Sequence, residues 1–155
     1  MSPRAAELIA RLGLLPHPEG GFYREVFRSS RQVVPDDGRP ARRALTTIDF
    51  LLAAGQCSAW HRVRSDEVWH LLEGSGLRLW LAPPDLSRFE AVELQAGRSQ
   101  RHVVPADWWQ AAEPLGDFAY VGATVGPGFD FADFGFGRDD AALRAALPSA
   151  LARLL

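Results

Sequence analysis

From residue 45 to residue 125 the chain is a run of short apolar–polar alternations cut at close intervals by glycine, proline and aspartate. The segments are Leu45–Ala53, Cys57–Val63, Glu67–Glu73, Leu77–Leu81, Phe89–Gln95, Gln100–Val104, Trp108–Ala112 and Phe118–Val125. Between them stand Gly55, Gly74 to Gly76, Pro83-Pro84-Asp85, Ala96-Gly97, Pro105-Ala106-Asp107 and Pro114 to Asp117. Segments of this length, bounded by turn formers, are strand patterns. With no helical periods between them, they restrict the chain to an antiparallel sandwich or barrel and exclude a parallel α/β sheet.

The flanks read differently. Ser2 and Pro3 open a helix whose apolar stripe is Leu8, Ile9, Leu12 and Leu15, and Gly13 and Pro16 close it. HPEGGFYREVF then turns through Gly20 and Gly21 into a strand, and PDDGRPARR at 35–43 is an exposed loop. Residues 139–155 return to a helical pattern broken at Pro148. A chain of 155 residues without an internal repeat is expected to form one domain, 1–155.

Charge and composition exclude several function classes. A net charge of −2 gives no footprint for nucleic acid or an anionic membrane surface. No apolar run reaches the roughly 20 residues that span a bilayer, and the N-terminus has no signal-peptide pattern. Cys57 is the single cysteine, which forbids an intrachain disulfide and fits a reducing cytoplasm. All 17 basic side chains are arginine, so Schiff-base and lysine-base mechanisms are excluded.

Strand parity places the candidate chemistry. In Cys57–Val63, His61 shares a face with Cys57, Ala59 and Val63; in Glu67–Glu73, Glu67 shares one with Trp69 and Leu71. Trp108 and Gln110 share a third. A buried imidazole and carboxylate are costly unless they bond something, so His61 and Glu67 are the expected acid–base pair of a mixed aromatic–polar pocket. Gln110 is expected as a hydrogen-bonder, and Trp69, Trp108 and Tyr120 as walls for a planar or sugar-like ligand. Tyr23 and Arg24 are within reach of such a ligand, while Gly20, Gly21 and His17 read as parts of a tight turn. Trp60 and Trp80, opposite the apolar sets of their own strands, call for a dimer interface or a covering arm. The aromatic stretch Phe129 to Phe136 reads as a lid over an apolar side of the barrel.

The spacing Gly55-x5-His61-x-Val63-x3-Glu67-x6-Gly74 resembles the first cupin motif, and Pro105-x-Asp107-x2-Gln110 resembles the second. HPEGGFYRE (17–25), SDEVWHLLEG (65–74) and VGPGFDFADF (125–134) are similar to the single-domain cupin-five branch, a domain of unknown function. The resemblance implies an all-β antiparallel jelly-roll barrel with short terminal helices, a homodimer, and a site at one mouth of the barrel. It also implies four metal-ligand positions, which fall here on His61, Val63, Glu67 and Gln110. Valine cannot ligate and an amide oxygen is a weak donor, so the pattern is only partly kept.

The expectation is therefore a cupin that binds a small polar or sugar-like metabolite at His61, Glu67 and Gln110. Any reaction is of isomerase or epimerase type, with His61 as the base; in fold the chain resembles the sugar-nucleotide epimerase branch of cupins. One alternative is a metal-dependent oxygenase or isomerase with a divalent ion (Fe, Mn, Ni or Zn) on His61, Glu67 and Gln110. Another is a non-catalytic binding or storage protein.

Overall fold

The computed structural model describes residues 1–155. Its first element is helix α1, Pro3–Leu12, which starts where the Ser2 hydroxyl accepts the Ala5 N–H at 3.3 Å and stops at Gly13 in the left-handed conformation. The strands follow as β1 Leu15–Pro16, β2 Phe22–Arg28, β3 Gln32–Val33, β4 Arg42–Arg43, β5 Thr46–Ala53, β6 Ser58–Val63 and β7 Asp66–Gly74. They continue as β8 Leu77–Ala82, β9 Glu90–Leu94, β10 Arg101–Val104, β11 Trp109–Pro114, β12 Phe118–Gly126 and β13 Phe134–Phe136, and α2 is Ala141–Ala146. No helix is long and apolar enough to cross a membrane.

Two antiparallel sheets carry the fold, in strand orders β1-β2-β5-β12-β7-β10 and β13-β6-β11-β8-β9, with β3 and β4 forming a separate ribbon. The expected jelly-roll architecture holds, but the sheets do not close into one hydrogen-bonded barrel. Strands β9 and β10 come close at one edge without pairing, and the outermost β1 and β13 are only two and three residues long. The structure is thus a sandwich whose facing sheets leave open ends.

Alternation along the strands fills most of the space between the sheets. Phe50, Leu52, Trp69, Leu71, Val121 and Val104 come from one sheet and Leu77, Leu79, Leu81 and Leu94 from the other. Each such side chain contributes roughly 1.5–3 kcal/mol on full burial. A second layer lies outside the five-stranded sheet, where α2 and the 3₁₀ segment Ser149–Leu154 bury Trp60, Trp109, Leu143 and Leu151. The Trp60 indole N–H donates to the Leu151 carbonyl at 3.1 Å, so the covering arm accounts for Trp60. Trp80 packs on the same side and donates to Glu113. Helix α1 covers the outer face of the other sheet through Ala5, Leu8, Leu51 and Phe118.

Candidate active site

The large side chains of the core stop short of one end of the sandwich, where β6 and β7 of opposite sheets come together. They leave a cavity of about 260 Å³. Its polar floor is His17, Glu19, His61 and Glu67, and its mouth carries Tyr23, Arg24, Glu25 and Arg28.

The turn before β2 supplies half of that floor. The His17 N–H donates to the Gly21 carbonyl at 2.9 Å, and the Gly20 N–H to that of His17 at 3.0 Å. The Ala59 N–H then donates to the Glu19 carbonyl at 2.8 Å, which sews the turn onto β6. Gly20 has φ +110°, and a Cβ there would collide with the Cys57 carbonyl. Only glycine allows this close an approach. The result is a Glu19 carboxylate laid against β6, where it accepts from the Ser58 hydroxyl at 2.8 Å.

His61 is held from the same side. Its Nδ1 lies 2.7 Å from the Ala59 carbonyl and 3.2 Å from Glu19 Oε2. A carbonyl only accepts, so Nδ1 carries the proton and Nε2 keeps its lone pair. Nε2 has no partner in the chain and opens on the cavity. The Phe134 ring stacks on the imidazole, with centroids 5.4 Å apart.

Glu67 enters from the other sheet. Its Oε2 accepts from Gln110 Nε2 at 2.6 Å, and Gln110 Oε1 accepts from the Trp69 indole N–H at 2.8 Å. The indole can only donate, so it fixes the amide orientation. Glu67 Oε1 has no protein partner and faces the cavity.

No cation lies on this floor, so burial dominates its electrostatics. It pushes the Glu19 carboxyl up to about 7 against the pull of His17 and Ser58. Burial likewise pushes Glu67 up to about 7 against His61 and Gln110. It holds both His61 and His17 below the ordinary imidazole value. Groups that exchange a proton near neutrality, in a partly dry cavity, are equipped for acid–base chemistry.

Apolar side chains complete the walls: Ile48, Val63, Ala123 and Val125 from the strands, and Phe129, Phe131 and Phe134 from the loop leading into β13. That loop is the expected aromatic lid, but it stands on the cavity itself. A buried ion cluster fixes it: Asp133 accepts from Arg39 Nη1 and from Arg42 Nε and Nη2, each at 2.9 Å, and Arg39 also donates to Ser65. Arg42 and Arg39 hold the Asp133 carboxyl below the usual carboxylate range.

The expected convergence of His61 and Glu67 is observed, and Tyr23 and Arg24 are at the mouth. Four expected ligand-binding side chains lie elsewhere. Gln110 is spent on Trp69 and Glu67, and Trp69 is sealed in the core. Trp108 packs on the main core with Arg88 over its ring. Tyr120 faces the helix layer and donates to Asp49 at 3.0 Å, because Ala119 and Val121 are the inward residues of β12. Two floor residues stand outside the expected set: His17, expected as part of a turn, and Glu19, for which the sequence raises no expectation. Their signal was the HPEGG segment, whose place against β6 is a long-range contact.

The ligand set expected at His61, Glu67 and Gln110 is not assembled as a metal group: the Gln110 oxygen accepts from Trp69 and its nitrogen donates to Glu67, so the amide is engaged on both atoms. No three His, Cys, Asp or Glu side chains are grouped so as to hold a metal.

Comparisons with known proteins agree with the architecture. Residues 6–137 match the family model described as Cupin superfamily (DUF985). A hypothetical protein from Leishmania major is 29% identical, with 97% of each chain covered and a TM-score of 0.87. A protein from Shewanella oneidensis is 32% identical, covering 97% of this chain and 96% of its own, with a TM-score of 0.83. A variant oxalate decarboxylase from Bacillus subtilis, at 13% identity and TM-score 0.55, shares the fold over 76% of this chain and 28% of its own. No curated protein matches the chain.

Proposed function

The chain belongs to the cupin superfamily, in the family DUF985, and from that premise we propose that its cavity binds a small metabolite and moves a proton on it. The observation that carries this reading is the His61 imidazole. Nδ1–H is committed to Ala59 and Glu19, which leaves an unprotonated Nε2 as the base on the cavity floor. Glu19, not Glu67, is the carboxylate beside His61 Nδ1, while Glu67 presents a free oxygen whose protonation changes near neutrality. The ligand is small, with a polar end for this floor and an apolar body for the phenylalanine and valine walls. An isomerase-type reaction needs no more than these groups.

Ligand-observed NMR with a fragment library tests the site. Fragments should compete for one cavity and bind at least about tenfold more weakly to His61→Ala and Glu67→Gln, or about 1.4 kcal/mol. Unchanged affinity in both variants contradicts the reading. The proposal includes a homodimer, supported by the exposed apolar side chains Val26, Phe27, Val33 and Val34. Light scattering at twice 17.0 kDa would bear this out.

A further inference from the structure

Two imidazoles face the cavity, and their hydrogen bonds select opposite tautomers. His61 holds its proton on Nδ1, against the Ala59 carbonyl. His17 Nδ1 instead accepts the Glu19 backbone N–H at 3.1 Å, so in its neutral form the proton is on Nε2. That Nε2–H has no partner in the chain and opens on the cavity, and the ring is held edge-on by Tyr23 and Phe50 at 4.5 and 5.6 Å.

We propose that His17 Nε2–H and His61 Nε2 act as hydrogen-bond donor and proton acceptor on one ligand. That ligand is a small ketone or 2-oxo acid with an apolar substituent and an acidic C–H beside its carbonyl. This rests on the small-molecule, proton-transfer reading above and gives it a substrate class. In the step, the C–H bond breaks and its electron pair becomes the C=C bond of an enolate. The proton goes to His61 Nε2, and the imidazolium formed is stabilised by Glu19 Oε2, 3.2 Å from its Nδ1. The carbonyl electrons move to oxygen, which receives a hydrogen bond from His17 Nε2–H; His17 keeps its proton. Return of a proton from His61 to the same face of the carbon completes exchange with solvent, and its delivery to the enolate oxygen completes keto–enol tautomerisation, in either case without any oxidant. Val63, Val125, Phe129 and Phe134 supply the apolar wall for the substituent.

The tautomers are read directly by long-range ¹H–¹⁵N correlation on ¹⁵N-histidine-labelled protein at pH 8. The expected result is a proton on Nδ1 of His61 and on Nε2 of His17; the reverse at either residue overturns the proposal. The chemistry is read by deuterium incorporation at the benzylic carbon of phenylpyruvate and of phenylacetone in D₂O. At least one probe should exchange about a hundredfold faster than in buffer, the low end of general acid–base catalysis. Exchange of phenylpyruvate alone marks a carboxylate met by Arg24 or Arg28; exchange of phenylacetone too marks recognition through the carbonyl. His17→Asn, which keeps an acceptor for Glu19 but has no donor at the Nε2 position, should lose most of that rate, and His17→Gln, with an amide N–H near Nε2, should recover part of it. Undiminished exchange in His17→Asn overturns the role of His17. No exchange with either probe overturns the substrate class, and probe line broadening in the same samples shows whether small-molecule binding survives that failure.

Discussion

Two buried charged clusters sit within the same end of the sandwich and behave oppositely. Around Asp133, two arginines satisfy one carboxylate, which is held ionised below its ordinary range. On the cavity floor, Glu19 and Glu67 have only a hydroxyl, an amide and two imidazoles for company, and burial raises both to about 7. The first arrangement stores no reactivity and pins the phenylalanine wall in place. The second leaves proton-exchanging groups facing an empty space. Both side chains are almost covered (5% exposure for Asp133, 7% for Glu67), but the Arg42 hydrogen bond dominates at Asp133 and desolvation dominates at the deeper Glu67, which has no cation beside it.

The largest effect should come from breaking the clasp. Asp133→Ala takes the shared carboxylate from both arginines, leaving Arg39 with Asp37 and Ser65 and Arg42 without its acid partner; breaking a buried pair in this way costs up to about 3–5 kcal/mol. For a chain of this size a loss of that order lowers the melting temperature by about 6–20 °C. A shift no larger than a surface substitution gives would erase the contrast.

Glu67→Gln should act with the opposite sign above neutrality. A carboxyl raised from 4.5 to about 7 favours the folded state fully below 4.5 and loses that contribution as pH rises through about 7. Relative to the glutamine variant, the natural protein should therefore lose stability between pH 4.5 and 7, by up to about 3 kcal/mol, and level off above. The lowered His17 and His61 act the other way, weakening the fold as pH falls below 6.5; His17 is common to both proteins, whereas His61 loses the upward pull of Glu67 in the variant, which adds to the difference on the acid side. Urea midpoints across that range give the curve, and a flat difference would refute the raised carboxyl.

Gly20→Ala drives a Cβ into the Cys57 carbonyl at a positive φ, a cost of roughly 1–3 kcal/mol in chemical denaturation. It should also displace Glu19 from His61, so fragment binding should weaken together with stability. The smallest effect is expected from Tyr120→Phe. It removes one bond to Asp49 on the helix side, about 1 kcal/mol, and leaves ligand affinity unchanged; a clear loss of affinity would return Tyr120 to the site.

Residues whose position follows from alternation within a strand were readable from the sequence. His61 and Glu67 have inward parity and meet; Tyr120 has outward parity in β12, and the expectation that it walls the pocket set that parity aside. Trp69 has inward parity too, but parity does not say how far along the sandwich a side chain lies, and Trp69 is in the packed part. His17 and Glu19 stand on an irregular turn, where no period applies. Their place depends on the fit of Gly20 against Cys57, 37 positions further along the chain. The two arginines that make Asp133 a clasp come from the polar loop at 35–43, more than 90 residues from their partner, and nothing local pairs them. The open sandwich likewise depends on edge-strand lengths that the pattern of turns does not fix.

The central claim is that the cavity floor holds two carboxyls titrating near neutrality because no cation reaches them. Carboxyl ¹³C NMR on glutamate-labelled protein, titrated from pH 4 to pH 9, measures this directly. The account predicts two resonances, removed in turn by Glu19→Gln and Glu67→Gln, with midpoints near 7. Midpoints near 4.5 for both would contradict it.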